Sequence, residues 1–206
     1  MNAAIEAGAR HLRYPSALID RLTLADGRQV IVRPVMAIDA PAQQDFVRAL
    51  SLESRRKRFH FPLKELSPTV LRQLTDVDHV GHVAIVAEAF ADDEDEDEAT
   101  IVADARYVRE GDETHFAITV ADAWQGIGLG RALMQRLLRY AARRGVVRLV
   151  ADMLPGNTAM LQLAASFGGR RAASSPHGPG VTRVVLDLGH LPVSRPSELT
   201  TVCPCA

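Results

Sequence analysis

The stretch Trp124-Gln125-Gly126-Ile127-Gly128-Leu129-Gly130 decides how this chain reads. It stands between two periodic segments. Before it, Thr114 to Val120 alternates: Phe116, Ile118 and Val120 share one face, and His115, Ala117 and Thr119 the other. An apolar face backed by a small, polar one suits the floor of a cleft. After it, Leu129, Leu133, Leu137, Tyr140 and Ala141 recur at helical spacing until Gly145 supplies a stop. The glycines thus join a strand to a helix N-terminus. Residues without a Cβ let backbone amides approach an anion, and the positive end of the helix dipole favours one there. The pattern implies a loop that holds a pyrophosphate.

Two common phosphate loops fail on this stretch. A dinucleotide-binding G-x-G-x-x-G requires Gly or Ala at position 131, where Arg131 stands. A nucleoside-triphosphate loop requires Lys and Ser or Thr after its last glycine, and Arg131-Ala132 supplies neither. What fits is Gln125-x-x-Gly128-x-Gly130. A plain strand-to-helix turn would need one glycine rather than three at alternate positions.

The rest of the chain bounds the class. Its 206 residues, 47% hydrophobic, can bury one substantial core. The expected organisation is an N-terminal arm over 1–20, a single domain over 21–190 and a flexible tail over 191–206. Net charge is −1, but seven of the 25 acids form one run, Asp92 to Glu98; without it 18 acids face 24 bases, about +6. That balance suits anionic small ligands and lacks the basic stripe of a nucleic-acid binder. The acidic run reads as a solvated loop that discourages edge pairing, with recruitment of a cationic substrate as the alternative. No apolar run approaches membrane-spanning length and the N-terminus lacks a signal-peptide core, so a cytoplasmic protein is expected. Cys203 and Cys205, the only cysteines, fall in the tail and can neither staple a core nor complete a zinc site. His60, His79 and His82 lack metal-ligand spacing, and no metal is expected.

Gln29 to Val35 reads as a strand after the Asp26-Gly27 turn, and Ala40 to Phe61 as helical, ending in the basic cluster Arg55, Arg56, Lys57, Arg58. That cluster reads as a solvated face or as a contact for the adenosine phosphate or an acidic partner. Ser67-Pro68 opens a further helix. His82 to Phe90 and Thr100 to Arg109 form a hairpin joined by the acidic run. Val146 to Met153 is a strand, Asn157 to Phe167 a helix and Val181 to Leu188 a last strand. The fold class is mixed α/β, with strands dominating the first half of the core and alternating with helices in the second.

With these elements in place, the block ITVADAWQGIGLGRALMQRLL, residues 118–138, resembles the GCN5-related N-acetyltransferases (GNAT), which use acetyl-CoA. The resemblance covers residues 28 to 188 and implies a largely antiparallel, splayed sheet flanked by helices. It implies that the CoA pyrophosphate lies on Gln125, Gly126, Ile127, Gly128, Leu129, Gly130 and Arg131. The pantetheine arm would pair with the strand end Ile118, Thr119 and Val120, one of whose amides serves as oxyanion donor. Asn157 either caps its helix or reaches the CoA arm, and Met160, Leu161 and Leu163 read as core. Trp124 packs the loop against the core or flanks the cofactor. Leu50 to Phe59, Leu74 to Asp78 and the strand VAIVAE look like the acetyltransferase domain of bacterial protein lysine acetyltransferases of the Pat type. There the domain often sits on a larger regulatory or synthetase-like region, and this sequence carries the transferase part. After Asp78 it has His79, Val80 and Gly81 where that pattern carries charge.

Acetyl transfer needs a neutral amine, and a lysine is protonated at neutral pH with a reference pKa of about 10.4. In the Pat-type pattern a glutamate faces the cleft in an A-E-F-A run; here the run is Thr114-His115-Phe116-Ala117, so His115 is the candidate general base. A surface or structural histidine is the other reading. Many members place a tyrosine seven residues past the asparagine as the acid for the thiolate; here that position is Ala164. A thiolate leaves readily, so solvent suffices. The expected activity is acetyl transfer to a primary amine, a protein lysine or a small molecule, by direct attack on the thioester. The alternative is a CoA-binding sensor that has lost catalysis. A homodimer is compatible with the sequence, which does not decide it.

Overall fold

The computed structural model describes residues 14–61, 63–90, 99–173, 175, 178 and 180–189. The acidic run and the tail with both cysteines lie outside the described residues. Among the described residues no helix is long and apolar enough to cross a membrane.

Eight strands form one sheet. In chain order they are β1 (Asp20–Thr23), β2 (Gln29–Pro34), β3 (His82–Ala89), β4 (Thr100–Glu110), β5 (Glu113–Val120), β6 (Arg148–Met153), β7 (Arg170–Arg171) and β8 (Thr182–Asp187). Their spatial order is β1-β2-β3-β4-β5-β6-β8-β7. Every pair is antiparallel except β5 and β6, which run parallel. The expected strands are all present; β1 and β7 are additional. Both are short, polar and at sheet edges, so neither shows an alternation that a sequence could betray. The folded chain also starts before residue 21, since Leu18 is buried and β1 begins at Asp20.

The helices are α1 (Ala40–Ala49), α2 (Leu52–Phe59), α3 (Pro68–Thr75), α4 (Leu129–Arg143) and α5 (Thr158–Ala165). The single helix expected over 40–61 is two. Leu50 takes an extended conformation, and the Ser51 side chain caps a new start by accepting from the Ser54 N–H at 3.1 Å. Ser67 caps α3 as expected, accepting from Val70.

The two faces of the sheet carry separate cores. Leu129, Leu133, Met134, Leu137, Leu138 and Ala141 of α4 bury one stripe against Val83, Ile85, Ala105, Tyr107, Leu149 and Leu186. Each large side chain so buried is worth about 1.5–3 kcal/mol. On the opposite face Phe46, Val47 and Leu50 pack on Ala84, Val86 and Ile101. Strands β3 and β4 are therefore covered on both sides, which is why HVAIVAEA reads as a continuous apolar run. With the centre of the sheet clamped, its one parallel junction is left to form the site.

Candidate active site

β5 and β6 touch at a single bridge, His115 to Val150, and separate beyond it. The rest of β5 remains zipped to β4, through the pairs Ala117–Arg106, Ile118–Ala105, Thr119–Asp104 and Val120–Ala103. Splayed strands leave backbone groups without a strand partner, and the phase of the ladder says which. Ala121 N–H donates to the Val102 carbonyl at 2.8 Å, so peptide groups at 115, 117 and 119 turn toward β4 while those of Ile118 and Val120 turn into the gap. Gln125 Nε2 donates to the Val120 carbonyl at 3.0 Å, leaving the Ile118 N–H and C=O facing the opening. The gap widens into a cleft of about 1220 Å³ lined by Phe116 to Val120 on one side and Ala151 to Met153 on the other.

The alternation revises two expectations. Thr119 offers no peptide group to the gap; its side chain is buried, with a hydroxyl that has no partner among the described residues. The face of Ile118 and Val120, read as core, is only partly buried because the splay opens it to the cleft; Phe116 alone is fully inside.

At the far end of β5 the glycine loop turns into α4. Gly126 and Gly128 have φ of 78° and 93°, a region that L residues enter at a cost. Gly128 is the N-cap of α4 and has no side chain to bond the first turn. The first helical bond runs from Ala132 to Gly128, so the amides of Leu129, Gly130 and Arg131 have no helical acceptor. An uncapped fifteen-residue helix behind two left-handed glycines fits an anion carried on backbone amides. Gln125, Gly126, Gly128, Gly130 and Arg131 line the cleft; Ile127 and Leu129 support the loop from behind, with Leu129 fully buried.

Flanking residues fix the loop. Trp124 packs on the core and stacks with the Arg28 guanidinium at 4.2 Å, away from the cleft lining. Arg131 Nη1 donates to Ser166 Oγ at 2.9 Å and lies 5.0 Å from the Phe167 ring. Asn157 caps α5, accepting from Met160 at 3.3 Å, while still lining the cleft. Leu161 is core, and Met160 and Leu163 pack against that core as expected while also lining the cleft, because α5 lies along its wall. Ala164 is fully buried and offers no hydroxyl.

Asp122 was not singled out by sequence. Its carboxylate accepts from Ser51 N–H at 2.8 Å and from the Ser51 and Ser54 hydroxyls at 2.7 Å each, tying the start of α2 to the glycine loop. Burial opposes its charge, but these hydrogen bonds hold it below the usual carboxylate range. Gln125 Nε2 also reaches Ser54 Oγ at 3.3 Å. Only contact across 71 residues makes these groups one clamp.

Of the three histidines that line the cleft, His60, His82 and His115, the last two are set apart by their surroundings. His82 is pulled down to about 4 by burial and then by the Arg106 guanidinium, whose Nη1 lies 3.0 Å from His82 Nε2. Arg106 is itself buried, ion-paired to Asp104 and bonded to the Leu74 carbonyl. A neutral His82 with its lone pair on Arg106 is a poor base. His115 stands at the mouth of the splay, partly exposed and lining the cleft, with Nε2 3.3 Å from Glu113 Oε2. Asp76, Asp78 and Glu110 add negative charge to the wall. Of the basic cluster, Arg56 is solvated, Arg55 bonds the Arg48 carbonyl at 3.0 Å, and Arg58 turns inward to the cleft beside Asp104 and Arg106. Burial and Arg106 draw Arg58 down to about 10, with Asp104 opposing.

A strand splayed from its parallel neighbour, opening onto an uncapped glycine loop, is the frame of an acyl-CoA transferase. The chain belongs to the acetyltransferase (GNAT) family, whose pattern it matches over residues 49–168. It is 36% identical over 146 residues to acetyltransferase PA5475 of Pseudomonas aeruginosa, covering 71% of this chain and 77% of that protein. It is 31% identical over 146 residues to acetyltransferase Pat of Mycolicibacterium smegmatis, where the match takes in 69% of this chain but spans only 41% of the relative. The GNAT domain of S. lividans PAT superposes with a TM-score of 0.74 at 29% identity, covering 84% of this chain and 99% of that one. These relatives agree with the resemblance to Pat-type acetyltransferases read from the sequence.

Proposed function

We propose that the protein is an acetyl-CoA-dependent N-acetyltransferase that acetylates a primary amine, a protein lysine or a small molecule, with His115 as general base. The observation that carries this is the gap between β5 and β6, which runs from the uncapped loop at Gly126–Arg131 to His115. The five residue-to-residue steps from His115 to Val120 span about 16 Å of extended chain, a path along which a linear arm can lie between pyrophosphate and thioester. Membership of the acetyltransferase family and the fit of the loop to an anion support the donor.

Acetyl-CoA supplies the acetyl group, activated as a thioester. The chain supplies position and proton transfer. Amides of Gly126 to Arg131 hold the pyrophosphate, and the free Ile118 N–H faces the gap where a carbonyl oxygen gaining charge can accept it. His115 takes the ammonium proton of the acceptor, so that the neutral nitrogen attacks. The likeness to Pat-type enzymes favours protein lysines. Among the described residues that line the cleft there is no cysteine, in keeping with direct transfer.

The test is thiol release from acetyl-CoA over a panel of amines and lysine peptides, with mass-spectrometric recovery of copurifying CoA. Turnover on an acceptor is expected, with His115→Ala lowering kcat by roughly 10²–10⁴. Full turnover by His115→Ala across pH would remove the base assignment. Cofactor binding with no turnover on any acceptor would favour a binding-only role.

A further inference from the structure

Strand β5 begins with two side chains on one face, Glu113 and His115, and what holds the first explains how it can act on the second. Glu113 is not a free surface acid. Its Oε1 accepts from Arg183 Nη1 at 2.7 Å. Arg183 lies on β8, is 8% exposed, and is gripped on its other side by Asp152 of β6, with Nη2 to Oδ2 at 2.8 Å and Nε to Oδ1 at 3.1 Å. A chain of charge therefore crosses three strands, β6 to β8 to β5, and ends with Glu113 Oε2 at 3.3 Å from His115 Nε2. The two groups are within ion-pair reach but not aligned as a hydrogen bond, and catalytic pairs often align only once substrate is present.

The two carboxylate oxygens have different neighbours, and this bears on the tautomer of His115. Oε1 is held by Arg183, which leaves Oε2, an acceptor without a proton, toward the imidazole. A neutral imidazole meeting a carboxylate places its proton on the nitrogen that faces it. Here that is Nε2, so Nδ1 carries the lone pair. We infer that Glu113, anchored by Arg183, is a positioning residue that holds His115 as the Nε2–H tautomer and thereby makes Nδ1 the atom that accepts the acceptor's proton. The inference rests on His115 being the base. When Nδ1 takes the proton, the imidazolium carries one N–H toward Glu113 and one toward the cleft, and the adjacent carboxylate offsets the new charge. The proton then leaves to solvent, restoring the neutral ring.

The asymmetry of the contacts gives a sharp test. In Glu113→Gln the side chain keeps its shape, and Arg183, which can only donate, holds the amide oxygen at the Oε1 position. The amide NH2 is then turned toward His115 Nε2 as a donor, which forces the imidazole proton onto Nδ1. The anchor to Arg183 is kept while the tautomer is reversed. The measurements are steady-state thiol release and 15N NMR of the His115 ring above its titration range, with His115→Ala alongside. Expected are an Nε2–H imidazole in the native protein and an Nδ1–H imidazole in Glu113→Gln. A kcat at least tenfold lower is expected in the variant, with KM for acetyl-CoA within twofold and the melting temperature unchanged. If Glu113 served only to fasten β5 to β8, Glu113→Gln would match the native enzyme in kcat and ring tautomer, and the inference would fall. An Nδ1–H ring in the native protein would also overturn it. Full activity of His115→Ala would instead remove the base itself, so the two failures are told apart by which variant stays active.

Discussion

Replacing Gly128 by alanine separates the glycine loop's two roles, because backbone strain and ligand contact can be read independently. Gly128 has φ 93° and ψ −7°, and a Cβ built on it meets no protein atom within 4 Å. The cost to the folded protein is thus conformational, about 1–2 kcal/mol for an L residue held in the left-handed region. At this chain length each kcal/mol lowers Tm by roughly 2–4 °C. Gly27 is a matched control: φ is 90°, a Cβ again meets nothing within 4 Å, and the residue sits in the β1–β2 turn outside the cleft lining. Gly27→Ala should show the same loss in Tm and no change in kinetics. Gly128→Ala should in addition place a methyl where a phosphate approaches the amides of the first turn. Loss of one hydrogen bond to a charged group is worth about 1.5–3 kcal/mol, or roughly 10- to 150-fold in KM for acetyl-CoA. Thermal melts and thiol-release kinetics on both variants measure the two costs. Equal KM values for Gly128→Ala, Gly27→Ala and the native protein, with both variants melting lower, would refute the assignment of the loop to the pyrophosphate.

Removing the Asp122 carboxylate, as in Asp122→Ala, takes away three hydrogen bonds at a partly solvated site and should cost about 1–2 kcal/mol. Because the clamp joins α2 to the loop, KM for acetyl-CoA should rise with the fall in Tm; an unchanged melt would show that the clamp contributes nothing. Acid stability should respond to His82. Its folded-state value of about 4 lies below the ordinary 6.5, so between these pH values the unfolded chain binds the proton and the folded one does not. Stability therefore falls as pH drops from about 6.5 to about 4, by at most about 3 kcal/mol and less for the solvent that screens the site. Denaturant midpoints of His82→Gln across this window should show a shallower slope than the native protein, the remainder coming in part from His79, which burial also lowers. An identical slope would locate the acid sensitivity elsewhere.

Much of the fold was legible because its signals are local. The alternation of Thr114 to Val120, the helical stripe from Leu129 to Ala141 and the caps at Ser67 and Asn157 are each set by neighbours within one or two turns. The break at Leu50 was hidden, since Leu52, Arg55 and Phe59 continue an acceptable helical pattern and only the Ser51 cap marks a new start. The glycine loop was legible because its parts are contiguous: an anion held by consecutive amides would need consecutive residues. His115 was visible only by comparison with a family pattern. Glu113 and Asp122 were not visible at all, since a carboxylate's partners can lie 70 or 71 residues away; Arg58 stood out only as one of a basic cluster, with nothing local to show that it lines the cleft.

By itself the sequence determined the strand, glycine loop and helix on which the proposed donor site rests. Strand, glycines and helix follow one another along the chain, and backbone amides need no distant partner to form an anion cradle. The tertiary structure decided the acceptor side. That β5 leaves its parallel neighbour after one bridge while staying paired to β4 along its length depends on how distant strands and the cores on both faces of the sheet come together. Which histidine keeps a usable lone pair is settled by an arginine 24 residues from His82. The loop is written in contiguous residues, whereas the charges that surround His82 and His115 come together only when the sheet is assembled.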